Sequence, residues 1–119
     1  MADNIFDVIG AALDASGYIY RQQGSFAPDE VLPETFITYQ VIFKEDIAHA
    51  CNAPYASSAR VQMALYSKDP ATAQSADDTL KDILLPAGFT RYTGRQLPYM
   101  ADTGHYGYTC DYKYLLQED

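Results

Sequence analysis

From 106 to 114 a tyrosine or cysteine stands at every second position: Tyr106, Tyr108, Cys110, Tyr112 and Tyr114, with Gly107, Thr109, Asp111 and Lys113 between them. A period of two is a strand period, because successive side chains of an extended chain leave on opposite faces. A helix repeats its apolar residues every three or four positions and does not fit this pattern. The chain therefore builds a sheet, and one strand of it carries an unusual chemistry. Eleven of the 119 residues are tyrosine and none is tryptophan. A buried phenol needs a partner for its hydroxyl, so a face of four tyrosines is expected at a rim or an interface rather than in a dry core.

Two further stretches share the period. The run TFITYQVIF (35–43) sets Thr35, Ile37, Tyr39, Val41 and Phe43 on one side and Phe36, Thr38, Gln40 and Ile42 on the other. Its β-branched and aromatic content predicts a strand. Over 58–65, Ala59, Val61, Met63 and Leu65 alternate with Ser58, Arg60, Gln62 and Ala64. Weaker strands are expected at 17–20 and 89–93. The segment 45–55, with Asn52 and Pro54, has no clean period and reads as a loop. So do the stretch through Gly24, Pro28 and Pro33 and the one through Gly94, Pro98, Asp102 and Gly104.

Helical spacing occurs twice. Ile5, Val8, Ile9, Ala12 and Leu13 share one face of a 3.6-residue period; Asp3 or Asn4 can cap that helix, and Gly17 stands where a left-handed C-terminal cap would go. The second helix opens with Asp69 as cap and Pro70 in its first turn, and carries Ala73, Ala76, Leu80, Ile83 and Leu84 as its stripe until Pro86 and Gly88 end it. The expected order is α-β-β-β-α-β-β. It gives one α+β domain over 1–119, with two helices packed on one face of a mostly antiparallel sheet of four or five strands. The second helix lies between strands, so one parallel pair is allowed.

Sixteen acids against eight scattered bases give a net charge of −8, which repels a phosphate backbone and argues against nucleic-acid binding. No apolar run reaches the roughly 18 residues of a membrane span, and the N-terminus lacks a basic leader region, so a soluble, unsecreted protein is expected. Cys51 and Cys110 form no CxxC pair and read as reduced cytosolic thiols. His49 and Cys51 make an isolated H-x-C, and His105 is the one other imidazole, too few convergent ligands to predict a metal. No phosphate-binding, dinucleotide-binding or serine-nucleophile motif is present, so neither cofactor nor catalytic residue is expected. Asp102-Thr103-Gly104 is the tripeptide of aspartic proteases, which in a chain of this size would act as a homodimer sharing one proton between two aspartates. Its lead-in, Leu-Pro-Tyr-Met-Ala, is not a hydrophobic strand, and His105 follows where a small residue belongs. A turn with Gly104 at positive φ is the better reading.

The segment Leu32-Pro33-Glu34-Thr35-Phe36-Ile37-Thr38-Tyr39, the strand Arg60–Asp69 entering a helix, Gly88-Phe89, and Asp102-Thr103-Gly104-His105-Tyr106 running into Asp111-Tyr112-Lys113-Tyr114 together resemble the tail terminator, or tail completion, proteins of long-tailed bacteriophages and prophages and their neck and minor-tail relatives. The resemblance spans about 5–115; the segment 45–55 matches no part of it. It implies an α+β subunit of a six-fold homo-oligomeric ring that stops tail-tube growth, with the tail tube protein and the head–tail connector as partners. Such a protein resides in the tail or neck of the virion, assembled in the bacterial cytoplasm, with no enzymatic role. On this reading a negative lumen keeps passing DNA from sticking, and exposed tyrosines suit subunit and tube contacts. Candidate contact residues are Tyr18 and Tyr20 beside the first helix, Glu45 and Asp46 after the long strand, and Tyr99 in the late loop. The alternatives are a small acidic inhibitor of phage origin that imitates nucleic acid, and the dimeric protease. Dispersal of the acids weakens the first.

Overall fold

The computed structural model describes residues 4–26, 30–47 and 55–118, and the side chains among them except at 45–47, 55–56 and 116–118. Its elements are α1 (Ile5–Ser16), β1 (Tyr20–Gln22), β2 (Thr35–Ile47), β3 (Tyr55–Ser67), α2 (Pro70–Gln74), α3 (Ala76–Leu84), β4 (Thr90–Met100) and β5 (His105–Glu118). One five-stranded sheet runs in the order β1-β2-β3-β5-β4. The fold is α+β with a mostly antiparallel sheet; the one parallel hydrogen-bonded pair is β1 with β2. The crossover through α2 and α3 instead carries the chain from β3 to β4, past the place that β5 fills between them.

The helix signals act as chemistry requires. Asn4, rather than Asp3, caps α1: its Oδ1 accepts the Asp7 N–H at 2.9 Å, satisfying one of the first-turn donors. Gly17 at φ 80° closes the other end. Asp69 caps α2, accepting the Ala71 N–H at 3.1 Å and the Thr72 hydroxyl at 3.0 Å. The single second helix expected from 69 to 85 is two helices. Ser75 breaks it, with φ −96° and ψ 10° and a hydroxyl turned back onto the Ala71 and Thr72 carbonyls. The apolar stripe survives the break, since Ala73, Ala76, Leu80 and Leu84 are all buried.

The core lies between these helices and one sheet face. Ile5, Ile9 and Leu13 of α1 and Leu80 and Leu84 of α3 pack on Ile37, Val61, Met63, Leu65, Cys110 and Tyr112. Each fully buried Leu or Ile contributes about 1.5–3 kcal/mol. The tyrosine face of β5 differs from the expected rim: Tyr108 and Tyr112 are buried, Tyr114 is half-buried, and Tyr106 alone is exposed. Tyr108 satisfies its hydroxyl by accepting from Arg91 Nη2 at 3.1 Å. The Tyr112 hydroxyl has no such partner among the described residues, with the weakly polar Cys110 thiol beside it.

Three other expectations change. In β2 the alternation holds to Val41, which faces Val61; a bulge then places Phe43 opposite Arg60, on the other face from Val41. Strand structure also enters the segment expected as a loop at 45–55, since β2 runs to Ile47 and β3 starts at Tyr55; His49 and Cys51 lie outside the described residues. Finally, 94–100 belongs to β4. Gly94 and Pro98 are tolerated there because β4 is an edge strand with register breaks between Arg91 and Gly94 and between Leu97 and Met100. The remaining turn, 101–104, has Gly104 at φ 81° with its N–H on the Met100 carbonyl at 2.7 Å.

Candidate functional site

The helices α1 and α3 pack on one side of the sheet, which leaves the other side free of helices among the described residues. Register assigns to it Thr38 and Gln40 of β2, Arg60, Gln62, Ala64 and Tyr66 of β3, Gly107, Thr109, Asp111 and Lys113 of β5, and Arg95 and Leu97 of β4. One end of this face is closed. Phe36 stacks on Tyr66 at 5.1 Å and meets Phe26 and His105 edge-on at 5.2 and 5.3 Å. His105, fully buried, donates from Nε2 to the Pro33 carbonyl at 2.8 Å and so ties the segment leading into β2 down onto β5. The other ring nitrogen, Nδ1, is buried with no partner among the described residues.

The middle of the face is open, polar and concave. Two adjoining depressions of ≈ 190 and ≈ 170 Å³ share Gln62, Arg95 and Thr109 in their walls. The Thr109 hydroxyl donates to the Met63 carbonyl at 3.2 Å. Arg60 donates to Asp111 Oδ2 from both Nη2, at 2.8 Å, and Nε, at 3.2 Å, while its guanidinium lies 4.9 Å from the centre of the Tyr92 ring. Arg60 is thus held by one carboxylate and one aromatic face. Arg95 and Lys113 add two positive charges to the same surface. Towards the far end of β2 and β3 the face turns apolar, with exposed Phe43 and Leu115 beside exposed Ile42. Glu45 pairs with Ser58 at this end of β2.

The helical side has the opposite sign. Asp7, Asp14, Asp69, Asp78 and Asp82 are exposed there. Asp77 is tied to β4: Arg91 donates to its two carboxylate oxygens at 2.8 and 3.2 Å, and Lys81 stands 3.6 Å away. Burial alone would raise the Asp77 carboxyl, but the Arg91 hydrogen bonds and charge, with Lys81, hold it below the ordinary aspartate value. Asp77 in turn, with Tyr108, pushes the Arg91 guanidinium further up.

The residues named from sequence are not brought together. Tyr18 and Tyr20 pack against the core, and the Tyr20 hydroxyl donates to Asp14 Oδ1 at 2.6 Å, so its hydroxyl is committed within the chain. That bond raises the Tyr20 phenol pKa. Tyr99, on the opposite sheet edge, is exposed and meets the Tyr106 ring at 4.7 Å, tilted by 47°. Glu45 and Asp46 belong to β2, but their side chains lie outside those described. Asp102 is exposed in the 101–104 turn. The thiol of fully buried Cys110 is pushed up by burial. Among the described residues no three His, Cys, Asp or Glu side chains converge as metal ligands would, and no helix is long and apolar enough to cross a membrane.

What sequence reasoning missed is the cluster Arg60, Arg95, Asp111 and Lys113. Its signal was present in the alternation, since all but Arg95 fall on the polar side of two predicted strands. No protein-family model matches this chain, and no curated protein matches it.

Proposed function

We propose that this protein is a structural subunit of virion assembly, of the tail-terminator kind: it closes into a homo-oligomeric ring of six copies at the end of a tail tube, with the tube protein on one side and the head–tail connector on the other. The observation that carries this reading is the uncovered sheet face. A helix of 12 residues is about 18 Å long, whereas a strand of 13 reaches about 43 Å. The strands therefore outrun the helices, and the molecule measures 54 × 27 × 23 Å. A sheet that is elongated, open on one face and tipped with exposed Ile42, Phe43 and Leu115 suits a subunit that completes its packing against other chains. The resemblance to tail terminators supplies the biological setting.

Native mass across a concentration series, by light scattering or native mass spectrometry, tests the reading. The expected result is a hexamer or a monomer–hexamer equilibrium, and added protein should cap tail-tube polymers so that they stop lengthening. A stable dimer, or a monomer at every concentration, overturns it.

A further inference from the structure

We infer that the ring is built by stacking the acidic helical layer of one copy onto the basic open sheet face of the next. The inference rests on the ring reading and adds which surfaces meet. A closed ring other than a dimer needs a heterologous contact, in which two different patches of the same chain are complementary. This molecule carries such a pair on opposite sides of one two-layer body.

The sheet patch is centred on Arg60, Arg95 and Lys113. Against them stands Asp111, already committed to Arg60. Arg21 belongs to this side by register with Thr38, but it pairs with Glu30 and adds no net charge. Glu45 pairs with Ser58 towards the far end of β2, away from this centre. The patch is therefore positive at its centre, on a chain whose net charge is −8. The helical patch holds exposed Asp7, Asp14, Asp78 and Asp82, with Lys81 as its one helical base, drawn towards Asp77.

Size and shape agree with this arrangement. A face with extents of 54 by 27 Å exceeds the roughly 800 Å² per partner that a standard interface buries. The helical side also offers an apolar groove of ≈ 410 Å³ between α1 and α3, lined in part by Val8, Ala12, Ile83 and Tyr114. Opposite it the sheet side presents exposed Tyr92 and Phe43. Apolar side chains set beside opposed charges on both faces are the materials of a specific interface. Two helical faces repel each other, as do two sheet faces, so the charge pattern selects the partner face as well as attracting it.

The test is a charge-reversal exchange. Arg95→Glu with Lys113→Glu makes the sheet face acidic; Asp78→Lys with Asp82→Lys makes the helical face basic. All four positions are at least partly solvent-exposed, and a urea midpoint unchanged from the parent chain certifies folding. Each double variant alone is expected to weaken assembly by about tenfold or more. The two mixed together should assemble in 1:1 stoichiometry, because an alternating ring restores opposite charges at every contact. The chain carrying all four substitutions should also recover assembly. Should either variant prove unstable, the neutral pair Arg95→Gln and Lys113→Gln is expected to weaken assembly in the same direction. If the parent chain assembles and both double variants assemble as well as it does, or the mixture does no better than its components, the face assignment is wrong and the ring reading stands. If the parent chain stays monomeric throughout the series, both fail together.

Discussion

The Arg91–Asp77 pair shows how one residue can hold two layers together. Asp77 opens α3 and Arg91 lies on edge strand β4, so their paired hydrogen bonds at 2.8 and 3.2 Å fasten helix to sheet beside the core. Both side chains are about 30% exposed, so solvent screens the pair and its worth is about 1 kcal/mol, the upper end for such contacts. Because the folded-state pKa of Asp77 lies below the ordinary value of 3.8, its contribution is complete above that value and is lost as pH falls through the depressed folded pKa. Asp77→Asn should therefore lower stability by about 1 kcal/mol at pH 7, and the gap between variant and parent should close as pH drops below about 4. Urea unfolding at a series of pH values measures it. A gap that persists unchanged to the lowest pH would mean that the ion pair does not contribute as argued.

At the scale of elements, the register break in β4 is the feature with the sharpest consequence. Gly94 pairs with Cys110 of β5, and a Cβ there would run into the Tyr108 hydroxyl and stand 2.6 Å from Tyr108 Cζ and 3.1 Å from the Thr109 carbonyl. The glycine is needed for close approach, not for positive φ. Gly94→Ala should cost about 1–3 kcal/mol, the usual range for overpacking. It should also displace the Tyr108 ring, breaking the Arg91–Tyr108 hydrogen bond; a changed near-ultraviolet tyrosine signal alongside the lowered urea midpoint would show both. A variant as stable as the parent would mean that β4 does not lie as close to β5 as described. The same strand marks the limit of sequence reading. The apolar periods of α1, β3 and β5 were legible because each buries one regular face. The extension of β4 was not, since Gly94 and Pro98 carry turn chemistry that an edge strand can absorb. The bulge at Ile42 and the break at Ser75 were equally hidden. A bulge exists only relative to the partner strand, and an apolar stripe that continues through a break leaves no local mark. The basic patch needed the register too: Arg60 and Lys113 are 53 positions apart in sequence, and only strand pairing sets them side by side.

At the scale of the whole molecule, the proposed assembly draws on surfaces outside the core that stabilises the subunit. The helices and the covered sheet face hold the buried Ile, Leu, Val and Met residues, and the stability of the subunit resides there. Ile42 and Phe43 of β2 are each about 45% exposed, Phe43 opposite Arg60 of β3 and Ile42 at the bulge before it. Exposed positions of this kind change subunit stability by no more than about 0.5 kcal/mol when made polar. Apolar side chains left half in water become valuable only when another chain covers them. Ile42→Gln with Phe43→Gln should leave the urea midpoint where it is and weaken ring formation or tube capping by about tenfold, the loss expected for uncovering two such side chains at an interface. Measuring both on one preparation separates stability from assembly. A falling midpoint would place Ile42 and Phe43 in the subunit's own packing, and unchanged assembly would take the projecting strands out of the ring and the tube contact altogether.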